Sequence, residues 1–179
     1  MLIYLTGYMG SGKTFAGKKI ASQLGYQFID LDQMIEDRHK TTIPNIFEKF
    51  DETAFRIIEN KTLMLTFQLE NTVISTGGGT PCFHNNMTLM NQHGITVYLK
   101  MHPKSLYHRL IRSKKKRPLL LNRSKDELLD YIGEQLTERE PYYNKAQVIL
   151  KGENFNLTLL YDQIHTIAKQ RKIEMVTNK

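Results

Sequence analysis

The strongest constraint on this chain is a glycine-rich segment near its start, Gly7-Tyr8-Met9-Gly10-Ser11-Gly12-Lys13-Thr14. It matches the pattern G-x-x-x-x-G-K-[ST] at every specified position. The apolar run Leu2–Leu5 precedes it and a helical pattern over Lys13–Leu24 follows it, so the context is strand, loop and helix. In such a loop, successive backbone N–H groups point inward at phosphate oxygens, and the helix N-terminus adds partial positive charge. The segment therefore predicts a loop that binds the phosphates of a nucleotide.

The side chains of this loop have predictable tasks. Lys13 is long enough to reach the β- and γ-phosphates, and the Thr14 hydroxyl is a suitable Mg²⁺ ligand. A chance glycine-rich turn is disfavoured, because eight residues fall in register between a strand and a helix. The loop does not identify the acceptor of a phosphoryl group. The predicted phosphate-binding residues are Gly10, Ser11, Gly12, Lys13, Thr14 and Phe15.

Composition restricts the compartment and the partners. Cys82 is the only cysteine, so no intrachain disulfide is possible, and we expect a cytoplasmic protein. No stretch approaches the roughly 20 apolar residues that span a bilayer, so we expect no membrane partner. The apolar N-terminus lacks a basic flank and is typical of a buried strand rather than a signal peptide. The net charge of +7 fits either an anionic small ligand or nucleic acid.

Apolar runs alternate with helical patterns along the chain, which predicts βαβ units and a largely parallel sheet. The 179 residues suit one domain. Residues 33–67 are mostly helical, with a break at Pro44, and a closing amphipathic helix is predicted over Leu157–Ala168. The other predicted strands are Tyr26–Ile29, Thr72–Ser75, Ile95–Leu99 and Gln147–Leu150.

Asp30 and Asp32 stand at the end of the second predicted strand. Side chains at i and i+2 share a strand face, so both carboxylates are expected to face the crevice at the carboxyl edge of the sheet. One would help to hold Mg²⁺ and the other would orient or deprotonate an acceptor hydroxyl. The alternative is that Asp32 caps a helix beginning near Gln33 while Asp30 is merely exposed.

Three consecutive glycines, Gly77–Gly79, follow the third predicted strand. Such a run indicates close approach of a ligand to the main chain, although a tight turn is the alternative. Arg56 and Arg139 lie in helical segments, where an arginine is usually a solvated charge or half of an i,i+4 pair.

The stretch Arg112–Arg117 is strongly basic and has two interpretations. It has the charge of a nucleic-acid patch, but no aromatic residue interleaves with it and no nucleic-acid motif accompanies it. In a phosphoryl-transfer enzyme, a mobile basic segment closes over the triphosphate and supplies positive charge to the transition state.

Together these segments resemble the shikimate kinase family over nearly the whole chain. The order and approximate spacing of the matching segments are specific as a set. These segments are Gly7–Thr14, Phe28–Asp32, Ile46–Glu48, Phe55-Arg56, Ser75–Gly79, Arg117–Leu120 and Arg139–Tyr143.

The resemblance implies a three-layer α/β P-loop kinase fold, with a five-stranded parallel sheet of order 2-3-1-4-5 and helices on both faces. Residues 1–179 would form a single domain, with a shikimate-binding excursion at about 32–62 and a lid at about 112–124. The implied reaction transfers the γ-phosphate of ATP to the 3-hydroxyl of shikimate, a step of chorismate and aromatic amino acid biosynthesis. The expected partners are ATP, one Mg²⁺ per subunit and shikimate, without nucleic acid, in a monomer.

The resemblance also implies roles at the nucleotide. The lysine and threonine of the phosphate loop would contact phosphate and Mg²⁺, and Asp30 would help to hold the metal through water. Arg117, from the lid, would reach the phosphates. Arg112 is assigned to the adenine face, with Arg109 as its rival. Phe15 stands where relatives usually carry Ser or Thr, so a hydroxyl contact to the α-phosphate is expected to be missing.

At the acceptor, Asp32 would contact the hydroxyls, and Arg56 and Arg139 would bind the carboxylate of shikimate. A planar guanidinium binds a carboxylate through two parallel hydrogen bonds, which suits a small monocarboxylic acid. The other implied acceptor-site residues are Gly78 and Gly79, which line the site, and Phe47 and Phe55, which form an apolar wall. The implied catalytic residues are Lys13, Asp32 and Arg117.

Three rival functions share part of this evidence. A gluconate kinase would have the phosphate loop but not the full set of carboxylates, arginines and glycines. A nucleic-acid-binding ATPase would explain the basic charge, and a catalytically silent ATP-binding module would explain the loop. Residues 151–155, where relatives often form an adenine loop, carry no sharp motif.

Overall fold

The computed structural model describes residues 1–113 and 123–177, with side chains up to residue 170. Every strand predicted from the sequence is present, and no end differs by more than one residue. The strands are β1 (Leu2–Thr6), β2 (Gln27–Asp30), β3 (Thr72–Ser75), β4 (Ile95–Lys100) and β5 (Val148–Lys151). They form one parallel sheet in the order β2-β3-β1-β4-β5. The predicted strand order is confirmed.

The helices connect these strands. They are α1 (Lys13–Leu24), α2 (Leu31–His39), α3 (Ile43–Lys49), α4 (Glu52–Leu65), α5 (Asn86–His93), α6 (Pro103–Ile111), α7 (Lys125–Tyr143) and α8 (Leu157–Thr177). Pro44 does not simply break the helical stretch but lies in the first turn of α3, where its missing N–H costs nothing. None of the described helices has the length and hydropathy needed to cross a membrane.

Alternation along β1 divides the core between the two faces of the sheet. Ile3 and Leu5 join an apolar cluster with side chains of α1 and α8. Leu2 and Tyr4 join a second cluster with side chains of α2, α3, α4 and α5. All four β1 side chains are at most 4% exposed. A third cluster holds α6 and α7 together. Helices therefore cover both faces, and the three-layer fold is confirmed.

The strand register brings the candidate site residues to one edge. Ser75, the last residue of β3, pairs with Asp30 of β2 on one side and with Leu5 of β1 on the other. Because the strands are parallel, the phosphate loop after β1 and the glycine run after β3 leave the sheet at the same edge. The fold thus brings together three motifs that lie far apart in sequence.

Two helical glycines allow a matched test of the packing between α1 and the sheet. A Cβ at Gly17 would lie 2.5 Å from Cε2 of Phe28 and 3.1 Å from Cδ1 of Leu5, whereas a Cβ at Gly133 would meet no atom within 4 Å. We expect Gly17→Ala to lower the free energy of unfolding by about 1 kcal/mol or more, because overpacking outweighs better helix propensity.

The control variant, Gly133→Ala, should raise the free energy of unfolding by about 0.5–1 kcal/mol. Urea unfolding of both variants measures the two effects. Equal stabilisation by both alanines would contradict the close contact of α1 with the sheet.

Candidate active site

The phosphate loop joins β1 to α1, and three of its glycines have positive φ angles. Gly7, Gly10 and Gly12 have φ values of 134°, 82° and 99°. Gly12 also has a close neighbour, because a Cβ at this position would lie 3.2 Å from Nη1 of Arg109. Gly12 is also the N-cap residue of α1. The loop therefore ends at a helix N-terminus, where N–H groups lack intrahelical partners and favour an anion.

Lys13 lies inside this loop and is only 8% exposed. Its Nζ donates to the carbonyl oxygens of Gly7, at 2.7 Å, and Tyr8, at 3.0 Å. These bonds hold the ammonium group within the curve of the loop. A lysine so placed carries its charge to the concave side, where the phosphates of a nucleotide are expected.

Thr14 and Asp30 meet directly, although they are 16 residues apart. The Thr14 hydroxyl donates to Oδ2 of Asp30 at 2.9 Å. Thr14 lies in the first turn of α1 and Asp30 ends β2, so the contact depends on the packing of α1 over the sheet. The two oxygens predicted to hold a metal are thus neighbours.

The expectation that Asp30 and Asp32 share a strand face is wrong. β2 ends at Asp30, which is the N-cap residue of α2 with φ −98° and ψ 118°, and Asp32 lies in the first turn of that helix. The alternative that Asp32 caps a helix from Gln33 is also wrong, because α2 begins at Leu31. Leu31 is fully buried in the apolar cluster that contains Leu2 and Tyr4.

Asp32 nevertheless reaches the glycine run. A Cβ at Gly77 would lie 2.8 Å from Oδ1 of Asp32, 2.9 Å from Oε1 of Glu59 and 2.9 Å from Oγ1 of Thr80. Only glycine fits between these three oxygen atoms. The atoms that closely approach Gly77 belong to protein side chains, and the close approach of a ligand to this run stays a prediction.

The next two glycines lie beside the two arginines. A Cβ at Gly78 would lie 3.7 Å from Nη1 of Arg139, and a Cβ at Gly79 would lie 2.6 Å from Nη2 of Arg56. α4 carries Arg56 and α7 carries Arg139. The structure therefore brings both arginines to the main chain that follows β3, as a shared carboxylate site requires.

Arg56 is held tightly and is only 9% exposed. Its Nη1 donates to Oε2 of Glu59 at 2.7 Å, and its Nε and Nη2 donate to Oε1 of Glu52 at 3.2 and 2.9 Å. The guanidinium carbon lies 5.1 Å from the ring centroid of Phe55 and 4.2 Å from that of Phe83. Arg56 therefore forms an i,i+4 ion pair with Glu52, as the sequence allowed. Unlike a solvated arginine, it is buried against two aromatic rings.

Arg139 is half-buried beside the phosphate loop. Its guanidinium carbon lies 5.6 Å from the ring centroid of Tyr8, and its Nη2 donates to Gln135 one turn earlier. Tyr143, one turn later on α7, donates its hydroxyl to the Gly78 carbonyl at 2.5 Å. Burial raises the pKa of the Tyr143 phenol far above its ordinary value, so this donor keeps its proton. α7 is therefore anchored to the glycine run.

The two phenylalanines expected to form an apolar wall are in contact. The ring centroids of Phe47 and Phe55 lie 4.6 Å apart. Phe55 is 4% exposed and Phe47 is 42% exposed, so the pair leads from the core to the surface. Phe47 lies on α3 and Phe55 on α4, the same helix as Arg56.

A cavity of about 260 Å³ adjoins the phosphate loop at Ser11 and Gly12. Arg109 lines it and donates to the carbonyls of Ser11, at 3.0 Å, and Gly152, at 3.1 Å. Arg112 is exposed where α6 ends. Arg109 therefore lines this cavity, whereas Arg112 is not among its lining residues. Gly152, Glu153 and Phe155 also line the cavity, so the segment without a sharp motif contributes to it.

Sequence reasoning missed Glu59 and Thr80. Glu59 is 1% exposed and accepts from Arg56 and, at 2.6 Å, from the Thr80 hydroxyl. It links α4 to the turn after the glycine run and neutralises charge in the interior. Its position three residues after Arg56 was an available signal, because i and i+3 share a helix face. Arg117, by contrast, lies outside the described residues, as does most of the predicted lid.

Comparison with known proteins decides the family. The family model for shikimate kinase matches residues 9–168, which is most of the chain. The chain belongs to the shikimate kinase family. The resemblance inferred from the motifs is confirmed, and with it the assignment to the P-loop kinases.

Individual relatives agree with this assignment. The shikimate kinase of Bacteroides thetaiotaomicron is 46% identical over 151 residues, which cover 84% of this chain and 86% of the relative. A crystal structure of shikimate kinase from that organism has a TM-score of 0.84 at 40% identity, covering 96% of this chain and 98% of its own. Shikimate kinase from Acinetobacter baumannii, solved in complex with shikimate, has a TM-score of 0.76 at 33% identity, with coverages of 99% and 94%.

Cys82, the only cysteine of the chain, lies near the two arginines and allows its environment to be tested by chemical labelling. It ends the turn Thr80–Cys82 that follows Gly79, and it is half-buried. Burial raises the pKa of the Cys82 thiol to about 11, while the charges of Arg139 and Arg56 oppose the shift. The thiolate is the reactive form, so it becomes abundant only well above neutral pH.

We expect iodoacetamide at about pH 8 to label Cys82 about 100-fold more slowly than a free cysteine. The labelling rate should still be rising at about pH 10, where a free thiol has reached its plateau. Mass spectrometry of the single-cysteine chain measures both rates. Labelling as fast as a free thiol at about pH 8 would contradict this environment.

Proposed function

We propose that this chain transfers the γ-phosphate of ATP to the 3-hydroxyl of shikimate, giving shikimate 3-phosphate and ADP. The proposal rests on one observation. In the glycine run after β3, Gly78 lies beside Arg139 and Gly79 lies beside Arg56, while the phosphate loop leaves the adjacent strand at the same edge of the sheet. An anionic acceptor and a nucleotide would then meet across these two loops.

The acceptor carboxylate would bind the two arginines. Arg56 already has two carboxylate partners, but they differ in exposure. The Glu59 side chain is 1% exposed and fixed by Thr80, whereas the Glu52 side chain is 60% exposed. Because the Glu52 carboxylate is exposed, water solvates it when it leaves Arg56, and a substrate carboxylate can take its place. Arg139 would supply the second guanidinium and the remaining charge.

Asp32 would orient the hydroxyl that receives the phosphoryl group. Its Oδ1 lies against Gly77, next to the glycines that lie beside the arginines. Phosphoryl transfer passes through a loose transition state, so alignment of the hydroxyl and stabilisation of charge matter more than a strong base. Asp32 is accordingly proposed to align the acceptor and to receive its proton as the new bond forms. Lys13 would leave the carbonyls of Gly7 and Tyr8 for the more strongly accepting phosphate oxygens.

Thr14 and Asp30 would hold Mg²⁺. The residues fit this ion, because they offer a hydroxyl and a carboxylate oxygen 2.9 Å apart, and Mg²⁺ prefers oxygen ligands with several retained waters. When bound there, the ion would offset the negative charge of the phosphates. The separate places of Asp30, at the end of β2, and Asp32, in α2, support separate roles for the two carboxylates.

A coupled ADP-release assay with shikimate, quinate and gluconate tests the proposed function. We expect turnover with shikimate and at least about 100-fold lower kcat/KM with gluconate, whose open chain cannot present its hydroxyl and carboxylate together in the same site. Comparable rates with gluconate, or ATP hydrolysis indifferent to all three acceptors, would contradict the proposal.

The carboxylate site is tested by the methyl ester of shikimate. Removing the charge leaves guanidinium donors under-satisfied, at a cost of roughly 1.5–3 kcal/mol or more, so kcat/KM should fall at least about tenfold. Arg139→Lys should weaken the acid far more than the ester, because an ammonium group cannot form two parallel hydrogen bonds. Steady-state kinetics on both acceptors measure this. Equal kcat/KM for acid and ester would sink the two-arginine site.

The division between the two aspartates is tested by Mg²⁺ titration. We expect Asp30→Asn to shift the Mg²⁺ dependence of turnover to concentrations about tenfold higher, because it weakens a metal ligand. Asp32→Asn should lower kcat with an unchanged Mg²⁺ dependence. Superimposable Mg²⁺ curves for the two variants would show that the roles are divided wrongly.

A further inference from the structure

Phe15 has an unusual environment for an aromatic side chain. It lies in the first turn of α1, directly after the phosphate loop, and is 65% exposed. Among the large hydrophobic residues with described side chains, it is the most exposed. Isolated exposed hydrophobic residues are common on protein surfaces and need no explanation. Phe15 differs because of the surface on which it lies.

The Phe15 ring lies at the junction of two hollows. It lines the cavity of about 260 Å³ that contains Arg109, and also a neighbouring hollow of about 520 Å³. Lys19 and Leu157 border both hollows together with Phe15. The ring therefore faces a concave region that begins where the phosphate loop ends. A ligand whose phosphates occupy the loop would extend its remaining part into this region.

The walls of this cavity suit a planar aromatic ligand. Arg109 is fixed by hydrogen bonds to the carbonyls of Ser11 and Gly152, so its flat guanidinium group is held in place. Nζ of Lys19 lies 4.6 Å from the centroid of the Phe15 ring. Phenyl rings and guanidinium planes are the groups on which nucleic-acid bases stack.

We propose that the Phe15 ring packs against the nucleoside of ATP and determines nucleotide affinity; this inference rests on the proposed kinase function. Phe15 stands where relatives usually carry Ser or Thr, and the loss of that hydroxyl is then only part of its effect on nucleotide binding. The side chain gives up one polar contact near the phosphates and supplies an apolar contact to the nucleoside. The backbone N–H of Phe15 remains available to the phosphates, because it belongs to the first turn of α1, which lacks intrahelical acceptors.

The contact would act on binding rather than on the chemical step. The nucleoside does not change during phosphoryl transfer, so a contact to it stabilises ground state and transition state alike. Loss of the ring should therefore raise the KM for ATP and leave kcat nearly unchanged. By the same reasoning, loss of the ring should not weaken the binding of a phosphate chain that carries no nucleoside.

ADP and inorganic tripolyphosphate distinguish a contact between the Phe15 ring and the nucleoside from contacts between the loop and the phosphates. Their dissociation constants are measured by calorimetry on the full chain, on Phe15→Ser and Phe15→Tyr, and on the control Phe50→Ser. Phe50 is 56% exposed and follows α3, away from the residues that line the cavity. Thermal melting of each variant verifies folding, which the exposure of Phe15 favours.

Phe15→Ser should weaken ADP about 3- to 10-fold, because a stacking contact with the base is lost. Its affinity for tripolyphosphate should stay within about twofold or improve, since the serine hydroxyl adds one donor near phosphate. Phe15→Tyr should restore ADP affinity to within about twofold, and Phe50→Ser should change neither ligand.

Three results would overturn the inference. These are unchanged or tighter ADP binding by a folded Phe15→Ser chain, equal weakening of ADP and tripolyphosphate, and failure of Phe15→Tyr to restore ADP binding. A full-length chain that binds neither ligand would overturn the proposed kinase function and this inference with it. If the ADP pattern holds while shikimate is not phosphorylated, the inference is supported and only the acceptor assignment fails.

Discussion

The pairing of β1 with β3 is the interaction on which the rest of the site depends. β1 lies in the middle of the sheet, where Leu5 pairs with Ser75, the last residue of β3, on one side and with Val97 of β4 on the other. Because the strands are parallel and in this register, the phosphate loop and the glycine run begin side by side. The apolar clusters on both faces hold β1 in place, so the core fixes the distance between the two loops.

The charge of Arg56 is balanced by two carboxylates of its own helix. Arg56 lies between Glu52 and Glu59 on α4, and Arg139 is held on α7 beside Tyr8. Buried charges are costly unless they are paired. A pair that is half exposed, such as Arg56 with Glu52, keeps the guanidinium ordered and still allows exchange with a ligand. Glycine in the run after β3 lets these side chains approach the main chain.

Sequence reasoning predicted the fold almost completely, because alternating apolar runs and helical patterns are local signals. It also predicted the phosphate loop, and the structure brings Asp30 and both arginines to the edge of the sheet where that loop lies. The predicted backbone conformation at Asp32 is wrong, because strand periodicity was continued past Asp30 although the buried Leu31 already begins α2. It could not choose between Arg109 and Arg112, because that choice depends on how α6 packs against the phosphate loop. The partners of Gly77 come from three segments, and no local pattern reveals such a meeting.

We propose that Gly79 leaves room for the Arg56 guanidinium in the position where it binds the acceptor carboxylate. Gly79→Ala tests it most directly, because the new Cβ would lie 2.6–2.8 Å from the Arg56 guanidinium. That group ends a flexible side chain, so it can move without unfolding the chain. Calorimetric titration with shikimate and with ADP should show at least about tenfold weaker shikimate binding and ADP binding within about twofold of the parent chain. Unchanged shikimate affinity, or equal loss for both ligands in a folded variant, would contradict the account.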